Sequence, residues 1–159
     1  MIRSGVAFVV ILFVIGLSLI TTFIVWEGFD DGLQASDNIN ASIKTFFTEQ
    51  KDSFTNVWDY TFLTLFVAGL LGALILTWAV RSNPALFFFI LMVVVVIAAL
   101  AGYMSNAYAT LTEDATFGAA SLNFPITDFI LDNYLVFMLS SMFLMLIVFF
   151  AKPNDEGTL

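Results

Sequence analysis

Four long stretches of the chain carry apolar residues at nearly every position, without the alternation of apolar and polar residues that marks a strand. The hydrocarbon layer of a bilayer is about 30 Å thick, so a spanning helix needs about 20 apolar residues. The four stretches of suitable length are Ser4–Trp26, Tyr60–Val80, Ala85–Met104 and Tyr134–Ala151. Because unpaired backbone polar groups are costly in hydrocarbon, each stretch is predicted to be a transmembrane helix.

The first stretch differs from a secretory signal peptide in two respects. It is too long for the apolar region of a signal, and the residues after it, Trp26 to Phe29, do not resemble a small-residue cleavage site. We therefore expect it to be an uncleaved membrane anchor.

Two acidic segments, 27–59 and 105–133, are predicted to lie outside the membrane as loops of about thirty residues. In the first, apolar residues such as Ile39, Ile43 and Phe54 recur at helical spacing. This spacing predicts an amphipathic helix, either lying on the membrane surface or extending the second transmembrane helix. In the second, Pro125 is predicted to precede a helix that is capped by Thr127 and runs on into the fourth span.

The basic residues predict the orientation of the chain. With four crossings, Arg3, Arg81 and Lys152 all lie on one side of the membrane. The excess of Lys and Arg on cytoplasmic segments therefore places both termini and the turn 81–84 in the cytoplasm. Lys44 and Lys51 are the exceptions, and carboxylates outnumber them in their segment.

The short turn 81–84 predicts that the second and third helices form a tight antiparallel hairpin. Asn83 is biased away from the helical region because proline follows it, and Pro84 suits the first turn of the next helix. Small residues four apart let helix backbones approach closely. The predicted helix-packing residues are Ala68, Gly69, Gly72, Ala73, Ala98 and Gly102. The alternative is that glycine and alanine are simply common in membrane helices.

The composition agrees with a membrane protein and excludes several kinds of chemistry. Of 159 residues, 60% are hydrophobic and 11% charged, against about 45–50% and about 25% in soluble domains. There is no Cys and no His, so Cys–His catalysis, zinc–thiolate sites, His-ligated haem and disulfides are excluded. The net charge of -8 argues against binding to nucleic acid. We expect no cofactor, no bound metal and no enzyme acting alone.

Three carboxylates are the remaining candidates for an ion site. Asp128 and Asp132 lie four residues apart before the fourth predicted helix, and Asp59 lies at the start of the second. Paired carboxylates can bind a cation or relay protons. The alternative, which we favour, is that they stabilise helix N-termini electrostatically at the membrane boundary.

Aromatic residues with a polar edge lie close to the ends of the predicted spans. They are Trp26, Trp58, Tyr60, Trp78, Tyr103 and Tyr134. Such side chains prefer the headgroup region, so they are predicted to form interfacial aromatic belts. A quinone or pigment site is the alternative.

Several short motifs resemble those of known membrane proteins. SNPALFFFILMVVVVIAALAGYMSNAY, NFPITDFILDNYLVF and the closing IVFFAKP are similar to segments of small integral membrane proteins from phage-like genomes of aquatic environments. The resemblance implies a virion membrane protein of a tailless, lipid-containing icosahedral phage. It also implies lipid, copies of the same chain, other membrane proteins and capsid proteins as partners, and it carries over no catalytic residue.

Three functions are compatible with these features. The first is a non-enzymatic structural protein, resident in a virion internal membrane or, during assembly, in a bacterial inner membrane. The second is an accessory subunit of a respiratory or other membrane complex. The third is a holin-like pore former. It is the least favoured of the three because no predicted span has a polar stripe along it.

Overall fold

The computed structural model describes residues 2–79 and 84–151, with side chains at 6–78 and 90–151. Every regular element in these ranges is an α-helix. The helices are α1 Ile2–Gln34, α2 Ala41–Ala79, α3 Pro84–Thr112, α4 Ala115–Ser121, α5 Pro125–Asp132 and α6 Tyr134–Phe150. The prediction of an all-helical chain is therefore confirmed for the residues that the structure describes.

Three of the helices are long and apolar enough to cross a membrane. They contain the candidate spans Val6–Gln34, Ala41–Trp78 and Ile90–Thr112. A fourth candidate exists if α5 and α6, which pass the same test only together, count as one bent span. Alone, α6 has 17 residues, about 25 Å at the usual helical rise, which is slightly short of the hydrocarbon layer.

The two longest helices, α1 and α2, pack as an antiparallel pair. Phe62 of α2 packs against the backbone of Gly16 on α1, and farther along Lys51 pairs with Asp30. The 39 residues of α2 correspond to about 58 Å, roughly twice the thickness of the hydrocarbon layer. Residues 41–59 thus belong to one continuous helix with the second predicted span.

The pair continues beyond the apolar stretches as a helical hairpin, which we call the acidic arm. It comprises residues 27–58: the last two turns of α1, the connection 35–40 and the first half of α2. The end of the bundle that carries the acidic arm is called the upper end below, and the opposite end the lower end.

The long helices are arranged so that α6 lies between α2 and α3, packed against both. Leu135 of α6 lies 3.7 Å from the place that a Cβ at Gly102 of α3 would occupy, and Phe137 of α6 meets Phe66 of α2 with ring centroids 5.7 Å apart. Within the described residues α2 and α3 have no extensive contact. Over the described side chains, α6 therefore separates the second and third helices, whereas the turn of the predicted hairpin lies outside the described residues.

The fourth predicted span, Tyr134–Ala151, corresponds to α6, but the helix that begins at Pro125 does not run on into it as was predicted. The axes of α5 and α6 meet at 74°, and Asn133 between them leaves helical geometry with φ −97° and ψ 24°. The break frees main-chain carbonyls from the helical hydrogen-bond ladder. Ser105 of α3 donates a hydrogen bond of 2.5 Å to one of them, the carbonyl oxygen of Asp132. The bend is thus supported by a contact from a different helix.

The core at the upper end is built from large side chains that converge from several helices. The short helix α4 packs on α1 and α3, and α5 packs on α2 and α3. The largest fully buried side chains include Tyr108, Tyr134, Phe23, Phe62, Phe124, Ile20 and Leu131. Aromatic rings therefore fill much of the interior where α5 and the start of α6 meet the long helices.

Candidate functional site

The polar groups buried in the bundle concentrate where the short helix α5 meets its neighbours. Asp59 of α2 is only 4% exposed. Its carboxylate accepts hydrogen bonds from the main-chain N–H of Ile126 at 3.0 Å, from the N–H of Thr127 at 2.7 Å and from the Thr127 hydroxyl at 2.7 Å. These N–H groups lie in the first turn of α5, where main-chain N–H groups have no acceptor within the helix itself. Asp59 therefore caps a helix far from it in sequence.

The capping arrangement differs from the one predicted for this helix. The residue at the N-cap position is Phe124, which offers no side-chain acceptor, and Pro125 occupies the first turn. Thr127 does not cap the helix; its hydroxyl donates to Asp59. A negative charge beside a helix N-terminus is favourable, which accounts for the recruitment of a carboxylate from α2.

A second polar junction joins α5 to α3. The hydroxyl of Tyr108, a fully buried residue, donates a hydrogen bond of 2.6 Å to the carboxylate of Asp128. The Tyr108 ring meets Phe117 of α4 edge-on, with centroids 6.0 Å apart. One side chain of α3 thus contacts both short helices.

A third junction anchors the start of α6 to α1. Tyr134 is completely buried, and its hydroxyl donates a hydrogen bond of 2.5 Å to the carbonyl oxygen of Val9. Its ring also contacts Phe13, with centroids 5.6 Å apart. The contact reaches well into the apolar part of α1, so the start of α6 lies deep in the bundle.

The three carboxylates considered as an ion site have separate environments. Asp59 accepts hydrogen bonds from α5 through both of its oxygens, Asp128 accepts one from Tyr108, and Asp132 is exposed. Among the described residues, no three Asp or Glu side chains come together in a way that could hold a metal ion. For Asp59, the geometry matches the alternative of a carboxylate at a helix N-terminus.

The six aromatic residues predicted at the boundaries fall into two groups. Four are exposed, Trp58, Tyr60, Trp78 and, at 75%, Tyr103. Tyr134 is enclosed by protein, and Trp26 is half-buried and stacked on Phe54 with centroids 5.9 Å apart. The indole nitrogen of Trp26 is buried without a hydrogen-bond partner in the described part of the chain. Their position relative to a lipid boundary stays a prediction.

The predicted helix-packing residues also differ from one another. Gly69 lies directly under the ring of Phe8 on α1, and a side chain there would overlap it. Gly102 faces Leu135 at ordinary contact distance. Gly72 has open space where a Cβ would be, and Ala68 on the same turn is exposed. The remaining two residues, Ala73 and Ala98, are half-buried.

Contacts between polar side chains hold the acidic arm together. The carboxylate of Asp30, which is 3% exposed, lies 3.5 Å from the ammonium group of Lys51 and accepts a hydrogen bond of 3.2 Å from Gln34. Lys44 donates a hydrogen bond of 2.8 Å to the carbonyl oxygen of Gln34. The two lysines that were exceptions to the charge distribution thus link α1 to α2.

The residues predicted to set the topology contribute no described contacts. Arg3 belongs to α1, but its side chain lies outside the described part of the structure. Arg81 and Lys152 lie outside the described residues altogether, as do residues 81–83 of the predicted turn.

Comparisons with protein-family models, with curated proteins and with solved structures find no match to this chain. The functional argument therefore depends on the residues and contacts of this chain.

Some of the residues that form these polar junctions were already candidates in the sequence. Asp59, Asp128 and Tyr134 were among the predicted residues, and each takes part in one junction. The sequence did not single out Tyr108 or Asp30, because nothing in the local pattern distinguishes a buried polar side chain from an exposed one near a helix end. The partner of Tyr108 is Asp128, 20 residues away in the sequence. The partner of Asp30 is Lys51, on a neighbouring helix.

Proposed function

We propose that this chain is a non-enzymatic structural protein of a membrane, which organises lipid and holds neighbouring proteins at the bilayer. The observation that supports the proposal is that its buried polar groups form hydrogen bonds between helices. Asp59 caps α5, Tyr108 joins α3 to Asp128, and Tyr134 ties α6 to α1. Each of these groups has a partner within the fold and serves to join helices.

The proposed arrangement has four crossings, with α5 and α6 together forming the fourth. The direction of α6 supports this arrangement. Thr127 lies beside Asp59 and Phe137 beside Phe66, so the chain passes from the middle of α2 toward its C-terminal end. α6 therefore heads for the lower end, and both termini would lie there. By the positive-inside rule, that side is the cytoplasm.

The proposed setting is the internal membrane of an icosahedral, lipid-containing virion, with the bacterial inner membrane as the site of assembly. The support for this setting is the resemblance of the SNPALFFFILM, NFPITDFILDNYLVF and IVFFAKP segments described above. In such a particle the chain would contact lipid, other copies of itself and capsid proteins.

The test is to isolate the protein from its natural source by density-gradient fractionation without detergent. We expect it to comigrate with phospholipid and with capsid proteins, in a constant ratio across the peak. Comigration with redox subunits would instead identify an accessory subunit of an enzyme complex. Collapse of the membrane potential on expression of the chain alone would identify a pore former. Either result would overturn the proposal.

A further inference from the structure

We propose that the acidic arm is a docking surface for a cationic, amphipathic segment of another protein. This inference deepens the proposed function and rests on it, because it specifies the chemistry of the partner that a structural membrane protein would hold. Three features of the arm carry it: a rigid frame, a cluster of exposed apolar side chains, and the disposition of its charges.

The arm is a preformed surface. Gln34 at the end of α1 contacts Asp30, the carbonyl of Lys44 and the hydroxyl of Thr48 through its side-chain amide. Lys51 adds an ion pair to Asp30. Contacts of this kind fix the two helices before any partner arrives, which reduces the entropy that binding would otherwise lose.

An apolar cluster lies on the arm next to Trp26, the last residue of the first predicted span, whose ring centroid is 6.4 Å from that of Phe47. Phe29 and Phe46 are each 55% exposed, and both contact the ring of Phe47, with centroids 5.4 and 5.7 Å apart. Ile43, also exposed, precedes Phe46 and Phe47 by three and four residues, so it lies on the same helix face. We call these four residues the Phe47 patch. Aromatic groups grouped in this way are typical anchors of a protein interface.

The charges of the arm define the partner. Residues 27–58 contain six carboxylates and two lysines. Both lysines are engaged in contacts between α1 and α2, whereas four of the carboxylates are exposed: Asp31, Asp37, Glu49 and Asp52. The arm therefore presents negative charge around its apolar cluster. Electrostatic complementarity requires a partner that is positively charged.

A lipid surface is a poorer occupant of the Phe47 patch. Helices that lie in the membrane interface carry Lys and Arg on their polar face, where they meet anionic headgroups. The exposed charges here have the opposite sign. A second copy is disfavoured for the same reason, since two arms of like charge repel each other.

The probe for the test is an amphipathic peptide of Leu and Lys about 18 residues long, added to the full-length protein in phosphatidylcholine nanodiscs. The control peptide has Glu in place of every Lys, and empty nanodiscs correct for binding to lipid. We expect the Lys peptide to bind at least about tenfold more tightly than the Glu peptide. Equal binding of the two peptides overturns the proposal.

Two variants assign the binding to the arm. F29A/F46A should weaken binding of the Lys peptide by about tenfold or more, while Leu122→Ala, at an exposed apolar residue outside the arm, should change it by less than about twofold. Charge reversal in E49K/D52K changes the arm from six carboxylates and two lysines to four of each, so it should abolish the preference between the peptides, and it gives a second test if F29A/F46A fails to fold. Unchanged binding by either folded double variant overturns the proposal.

A photo-crosslinking amino acid in place of Phe46, in the native membrane, tests the choice of occupant. We expect an adduct with a protein segment of net positive charge; an adduct with lipid or with a second copy overturns the proposal. The two proposals fail separately. Comigration with capsid proteins but no preference for the Lys peptide rejects the docking surface alone, whereas comigration with redox subunits rejects the structural function itself.

Discussion

Asp59 and Thr127, separated by 68 residues in sequence, form the central polar contact of the fold, with the Asp59 carboxylate accepting hydrogen bonds from both the main-chain N–H and the hydroxyl of Thr127. The contact fixes the start of α5, which lies across the upper end of the bundle and positions α6. The stability of the bent pair α5 and α6 should therefore depend on one side chain of α2.

Replacing Asp59 with Ala should lower the free energy of unfolding by about 2–3 kcal/mol, because two buried donors of Thr127 and the part-buried N–H of Ile126 lose a charged acceptor. Asn retains one acceptor oxygen and should have an intermediate effect. The measurement is reversible unfolding in detergent micelles, with the exposed Asp52→Ala as a control that should leave stability unchanged. An Asp59→Ala protein as stable as the wild type would show that the cap is dispensable.

Two glycine substitutions should have opposite effects. A Cβ at Gly118 in α4 would lie 2.5 Å from the carbonyl oxygen of Thr112, so Gly118→Ala must displace backbone and should cost about 1–3 kcal/mol. Gly72→Ala meets no atom within 4 Å and should be neutral or stabilise α2 by up to about 1 kcal/mol. Thermal melting in detergent checks both values. Dissociation of an oligomer by Gly72→Ala would instead place that residue at a contact between copies of the chain.

Tyr134 and Tyr103 were predicted to play the same boundary role, and the structure gives them different environments. Tyr134→Ala should destabilise the protein by about 3–5 kcal/mol because a fully buried ring is lost. Tyr134→Phe removes only the hydrogen bond to Val9 and should cost about 1 kcal/mol. Tyr103→Ala, at a residue 75% exposed, should change stability by less than about 0.5 kcal/mol. Similar losses for the two alanine variants would contradict the burial of Tyr134.

Single cysteines can report the topology cleanly because the natural chain contains none. An impermeant maleimide should label cysteines at positions 37 and 113 from one side of the membrane, and cysteines at 82 and 151 from the other. This result requires α5 and α6 to complete a fourth crossing. Labelling of position 151 from the same side as position 113 would show that the bent pair re-enters and that the chain crosses three times.

The sequence by itself determined that this chain forms long apolar helices. Runs such as 60–79 and 90–104 satisfy their backbone hydrogen bonds locally, so composition and length suffice to predict them. The helical spacing of Ile43 and Phe54 likewise predicted a helix in the first acidic segment, and the structure joins that helix to the second span.

Only the tertiary structure decided which helices are neighbours and which polar groups are buried. A helix that is apolar on every side carries little sequence signal for the face that packs on protein, so the position of α6 between α2 and α3 was not predictable from the pattern. The bend at Asn133 and the burial of Asp59 depend on partners contributed by other helices, Ser105 and Thr127. Hydrogen bonds between distant residues leave no local periodicity, which is why the sequence predicted that the helix after Pro125 runs on into the fourth span without a bend.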